Sequence, residues 1–261
     1  MNKENDLDLS RAPLLAHLVE LRKRLMGCLL FFALVFGLCY WQAEAIYNFL
    51  MQPLVQVFGD LTERRMIYTG LHEAFLTHLK LSFFAALFFT LPLILIQLWR
   101  FIAPGLYRQE QRWISLLFSM TPVLFFAGAA LAYYVVFPLA WNFFLSFESG
   151  AGETAIPVQL EARVSEYLGL VIRLILAFGL AFELPVVLLL LARVGILDAR
   201  TLAENRRYAI VAVFAVAAVM TPPDLISQIA LGSPVLLLYE ASIWLIRLTE
   251  KREAQEAQQA G

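Results

Sequence analysis

The sequence predicts an all-α polytopic membrane protein with six transmembrane helices, and three observations carry that prediction. Apolar residues make up 61% of the 261-residue chain and charged residues 16%. The apolar residues gather into six long runs, and the basic residues crowd into alternate connections between them. A bilayer's hydrocarbon core is ~30 Å thick and takes ~20 apolar residues of helix to cross. Lipid offers backbone groups no hydrogen-bond partner, so helices are the economical spanning form.

The first run is Leu25–Trp41. Leu14, Leu18, Leu21 and Leu25 precede or open it at helical spacing, so an amphipathic N-terminal arm is expected to run into the span as one helix. The basic arm and the Ala43-Glu44-Ala45 triplet imitate a cleavable signal, but a 17-residue apolar stretch exceeds the usual 7–15. The segment is read as a retained span. Cys28 and Cys39 lie ~16 Å apart along that helix, too far to bond to each other. The connection Glu44–Ala74 contains Gln52-Pro53-Leu54 and the turn signal Gly59-Asp60. The second and third runs are Phe75–Leu98 and Trp113–Pro138. A polar stretch, Glu148–Glu153, interrupts the connection Leu139–Glu166 before the fourth run, Tyr167–Ala192. The fifth, Tyr208–Thr221, has 14 residues, or ~21 Å of helix. Only Pro222, Pro223 and Asp224 separate it from the sixth, Leu225–Ile246. A span this short either packs as a hairpin inside the fold or thins the bilayer beside it. Residues 1–250 read as a single membrane domain, and 251–261 as a polar cytoplasmic tail expected to be mobile.

Charge orients the bundle. The N-terminal arm, the second and fourth connections and the tail carry fifteen Lys and Arg, against three (Arg64, Arg65, Arg163) on the other side. Basic residues stay cytoplasmic, so both termini are expected inside. The formal net charge is only -1, so the positive bias belongs to topology and does not suggest nucleic-acid binding.

Hydrolytic machinery is sparse. His72 and His78 do not have the i, i+4 spacing of a zinc-binding helix, and neither a Gly-x-Ser-x-Gly elbow nor a phosphate loop occurs. An enzyme is not expected, nor is a metal or other cofactor. The acids that stand out are few. Glu183 lies inside the fourth run, where a charged side chain costs ~2.5–3.5 kcal/mol on insertion scales. Pro185 frees the Ala181 carbonyl, to which a protonated Glu183 could bond. Otherwise Glu183 is a polar contact for a segment entering the membrane. Lys80 and Arg173 also lie inside runs; Arg173 is too far from Glu183 to pair with it and can snorkel outward. Glu240 reads as a carboxylate reaching the inner interface. Glu20 ends the arm, where Arg24 at i+4 offers an ion pair worth only about 0.3–0.5 kcal/mol. Glu110 sits in a second basic setting on the same membrane face. Held close, Glu20 and Glu110 could receive two guanidinium groups, each as a planar fork that Lys cannot copy.

Four stretches, in order and each in its place among the six runs, resemble the TatC family, the polytopic receptor subunit of the twin-arginine translocase. They are His17–Leu25 (HLVELRKRL), Trp99–Glu110 (WRFIAPGLYRQE), Phe178–Val187 (FGLAFELPVV) and Thr221–Gln228 (TPPDLISQ). The resemblance covers about Leu14 to Leu248. It implies a cupped bundle whose fifth and sixth helices are short, in a bacterial inner membrane. It implies recognition of twin-arginine signal peptides and export of folded cargo on the proton-motive force. It also implies TatA- and TatB-type single-span partners, several copies in a larger complex, and contact with membrane lipid. Glu20 and Glu110 would accept the two arginines, with Leu21, Arg22, Phe101 and Pro104 shaping the patch. Glu183 would be the intramembrane acid of the concave face. Pro53, Asp224 and Gln228 match positions linked to partner assembly and transport. Two other readings stay open on the residues alone. One is a proton-coupled transporter using Glu183, although the first half has no matching acid. The other is an organiser that merely gathers membrane partners.

Overall fold

The computed structural model describes residues 3–58, 65–102, 111–148, 160–221 and 224–260, with side chains described at 19–58, 65–101, 118–148, 160–221, 224–251 and 255. The described elements are helical: α1 (Lys3–Trp41), α2 (Ala43–Phe58), α3 (Glu73–Ile102), α4 (Gln111–Leu131), a π-helical turn (Ala132–Val136), α5 (Phe137–Leu145), α6 (Val164–Ala181), α7 (Leu184–Arg193), α8 (Ala199–Glu204), α9 (Arg206–Met220) and α10 (Leu225–Ala260). The one β-type pairing among them joins the two outer connections, where Ile67 N–H donates to the Ala162 carbonyl and Val164 N–H to that of Ile67.

Five segments are long and apolar enough to cross a membrane: Val19–Trp41, Glu73–Phe101, Phe118–Leu145, Val164–Arg193 and Leu225–Lys251. The fifth apolar run forms α9, which at 15 residues is as short as its sequence foretold. The arm and first span are one continuous helix, as the leucine spacing predicts. The expectation of a short sixth helix needs correction. The helix α10 runs 36 residues, because its hydrogen-bonded ladder continues past the apolar run into the polar tail.

Prolines shape the interior of the spans. Pro138 does not end the third span. It has no N–H to give the Tyr134 carbonyl, and the π turn lies immediately before it, with Phe137 N–H reaching back to the Ala132 carbonyl. The widened turn absorbs the missing bond and carries the helix on to Leu145. In the fourth run Pro185 has the opposite effect. Its backbone breaks between α6 and α7, where Phe182 N–H and Glu183 N–H close short bonds to Phe178 and Leu180.

The main buried apolar cluster joins α2, the π turn, α5 and α6 around Leu54, Val136, Phe137 and Val171. A second cluster holds α7, α8 and α10 together through Leu188, Leu202 and Ile243. The first helix is different. Leu25, Leu30, Leu34 and Leu38 are each about two-thirds exposed, the surface expected of a span that faces lipid and leans mainly on α3.

Candidate functional site

At the Glu20 end of the first span, α1 and α3 run side by side. Arg24 sits one turn below Glu20 on the same face of α1 and donates to its Oε1 through Nη2 (2.6 Å) and Nε (3.0 Å). Its third bond, from Nη1 to Gln97 Oε1 at 3.0 Å, crosses to α3. The arrangement thus fixes the Glu20 carboxylate against the inner end of α3, one turn from Phe101. Both Arg24 donors share one oxygen, and Glu20 Oε2 makes no hydrogen bond among the described residues. Among the described residues the carboxylate thus holds one guanidinium, through Oε1 alone. Leu21 and Arg22 are exposed beside it. Pro104 and Glu110, the other expected members of the patch, lie outside the described residues. Gln97 was not foreseen from sequence. A lone glutamine near a span end gives no signal until its helix is seen against α1.

The intramembrane acid is built by close helix contact. A Cβ at Gly128 of α4 would lie 2.4 Å from the Phe178 carbonyl oxygen of α6, and one at Gly179 would lie 2.7 Å from the Phe125 ring. Only hydrogen at these two points lets α4 and α6 touch. That contact ends at the helix break, where Glu183 takes the N-cap position of α7. Its side chain is 3% exposed, and neither carboxylate oxygen has a hydrogen bond among the described residues. The buried Thr121 hydroxyl of α4 interacts with it, but no hydrogen bond of ordinary geometry closes between them. The bond to the Ala181 carbonyl envisaged from sequence is not formed. The break turns the side chain away from its own backbone and toward α4.

At the hairpin tip, Asp224 caps α10. Its Oδ1 accepts from Ser227 N–H at 2.6 Å, which supplies a partner to a helix N-terminus that would otherwise lack one. Gln228 Nε2 donates to the Phe214 carbonyl of α9 at 3.2 Å, fastening the two arms of the hairpin. At the opposite end of the bundle from Glu20, Pro53 sits buried within α2. It removes the donor that would meet the Phe49 carbonyl, and Tyr133 Oη–H fills the place from the π turn at 2.6 Å. Tyr167 Oη–H also donates to α2, at the Leu50 carbonyl (2.8 Å). The rings of Phe49 and Tyr133 stack at 4.5 Å. Glu240, read as an interfacial acid, is the partner of Arg206 at the start of α9.

Residues 16–234 match the family described as Sec-independent protein translocase protein (TatC). The chain is 47% identical to the TatC protein of Rickettsia prowazekii over 234 residues, covering 90% of this chain and 92% of that one. It is 37% identical to the TatC protein of Escherichia coli K12 over 235 residues, 90% and 88% of the two chains. Among solved structures, a crystal structure of the twin-arginine translocase receptor TatC superimposes with a TM-score of 0.73 at 35% identity, covering 89% of this chain and 98% of that one. Such identity over nearly the whole length, with the fold shared, leaves one assignment: this chain is a membrane-embedded member of the TatC family.

Proposed function

We propose that this chain is the receptor core of a twin-arginine translocase, a transport component rather than an enzyme. It lies in the bacterial inner membrane with both termini cytoplasmic, six helices acting as one membrane unit over residues 1–250. Twin-arginine signal peptides dock at its inner rim, and TatA- and TatB-type single-span subunits assemble with it, in several copies, to export folded cargo on the proton-motive force. Glu20 and Glu110 each accept one signal arginine, while Leu21, Arg22, Phe101 and Pro104 form the surrounding surface. Glu183 serves as the intramembrane polar contact, and Pro53, Asp224 and Gln228 hold the outer cap and hairpin where partners gather.

The observation that supports this most is the state of Glu20. Its carboxylate already accepts two N–H bonds from the Arg24 guanidinium, both on Oε1, so it is placed to receive a guanidinium. A docking peptide takes Oε2, which has no hydrogen bond among the described residues, or replaces Arg24. The test is photocrosslinking of a twin-arginine signal peptide to the purified protein, beside a Lys-Lys version of the same peptide. A charge-assisted hydrogen bond contributes about 1.5–3 kcal/mol, so the Lys-Lys peptide is expected to bind roughly ten- to a hundredfold more weakly. Equal crosslinking of the two would remove the guanidinium-specific reading.

A further inference from the structure

Two cations stand within the apolar spans, Lys80 on α3 and Arg173 on α6. Both are exposed, and neither has a hydrogen bond or ion pair among the described residues. The acids on the same helices are occupied or hidden. Glu73 accepts from Ser165, Thr69 and Gly70. Glu166 pairs with Arg163, and Glu183 is buried at the helix break.

The two cations lie at one level. The Ser165–Glu73 hydrogen bond sets the outer ends of α6 and α3 side by side. Lys80 is seven residues below Glu73 and Arg173 eight below Ser165, or ~11 and ~12 Å of helix. Twenty residues further on, each path meets another cation, Arg100 on α3 and Arg193 at the end of α7. Twenty residues of helix measure ~30 Å, the thickness of the hydrocarbon core. Between these levels α3 carries no charge and α6–α7 carries only Glu183. Lys80 and Arg173 therefore mark the outer edge of the hydrocarbon, while the first turns of α3 and α6 stand above it.

A half-open groove of about 520 Å³ begins at this level, between α2, α3, α4 and α6. Its wall is apolar and includes Leu81, Phe88, Phe126, Tyr134 and Ile172. Leu81 follows Lys80 directly and Ile172 precedes Arg173, so each cation is the chain neighbour of a wall residue, on the next face of its helix. Tyr134, 69% exposed, is the residue type that favours the membrane interface. Gly169, one turn above Arg173, leaves open space. A helical side chain tilts toward its own N-terminus, here the outer side, so Arg173 leans across that gap toward the headgroups.

We infer that the groove and its two cations form a binding site for one outer-leaflet phospholipid, with an acyl chain along the groove and the phosphate on Lys80 and Arg173. A helix is ~10–12 Å across, so this volume would take little more than one turn of it. The unpaired positive charge at the rim calls for a phosphate.

The test uses the full chain in liposomes containing phosphatidylglycerol with a photoreactive acyl chain. Labels are expected within residues 81–89 and 172–176, above the level on the lipid-facing side of α1. Each of Lys80→Gln and Arg173→Gln should lower that labelling about fivefold, since a basic residue at an anionic surface contributes on that scale. Ala130→Trp, which fills the groove with both cations kept, should abolish it, and circular dichroism checks that each variant is folded. Groove labelling unchanged in the Lys80→Gln/Arg173→Gln protein would overturn the site. So would labelling insensitive to those changes but displaced by an added apolar transmembrane peptide, which would assign the groove to a helix.

Discussion

Glu20 and Glu183 are the same residue in opposite circumstances. Glu20 is half-exposed at the end of the first span and held by Arg24, and its Oε2 has no hydrogen bond among the described residues. Glu183 is sealed inside the bundle with no hydrogen bond closed among the described residues. An exposed ion pair contributes little to folding and exchanges readily for another guanidinium. A buried carboxyl without partners costs free energy in the resting fold, and that cost is relieved only when something polar reaches it. The rim acid is thus suited to reversible docking. The intramembrane acid is instead a buried polar group left without a closed hydrogen bond, beside the Thr121 hydroxyl.

The contrast can be tested by substitution. The largest effect should come from Glu20→Gln: binding of a twin-arginine peptide falls roughly ten- to a hundredfold, matching one charge-assisted bond, as read by peptide titration. The same variant should leave detergent thermal stability nearly unchanged, because an exposed i,i+4 pair contributes only about 0.3–0.5 kcal/mol. A large stability loss there would mean that the rim pair is structural and erase the distinction. Next, Gly128→Ala should destabilise the protein by about 1–3 kcal/mol, since its methyl meets the Phe178 carbonyl and the backbones must separate. Gly169→Ala, with open space around it, is the matched control and should cost little. Glu183→Leu should stabilise by about 1–3 kcal/mol, the penalty of an unsatisfied buried polar group, while export of a folded reporter is lost. Stabilisation with export intact would leave Glu183 without a transport role. The smallest effect belongs to the outer cap. Tyr133→Phe removes the bond to the Phe49 carbonyl and should cost about 0.5–1.5 kcal/mol. In a Pro53→Ala background, where α2 can satisfy that carbonyl itself, the cost should shrink. Independently, adding one apolar turn within Tyr208–Thr221 should impair export and spare signal binding if thinning by α9 matters.

The spans themselves were legible because hydropathy is a local property. All six apolar runs reappear as helices, and the shortness of α9 follows from its residue count. Boundaries were less so. The third span passes Pro138 because a π turn absorbs the missing bond, and α10 outlasts its apolar stretch because backbone hydrogen bonding does not stop where hydrophobicity does. Of the site residues, Glu20 and Arg24 could be paired from sequence, since i,i+4 proximity is a property of one helix. Gln97 could not, because its role depends on how α3 lies against α1.

Composition, run length and the placement of arginines and lysines suffice to say that this chain spans a membrane, with what count of apolar runs and with which acids at its rim. Each of those properties belongs to a residue or a short segment wherever the segment goes. Contacts between remote segments were decided only by packing. Two glycines bring α4 onto α6 and seal Glu183 away, a tyrosine answers the carbonyl that Pro53 leaves free, and Ser165 bonds to Glu73 across α6 and α3. Those contacts join residues up to 92 positions apart, and neither periodicity nor charge counting carries information across that distance.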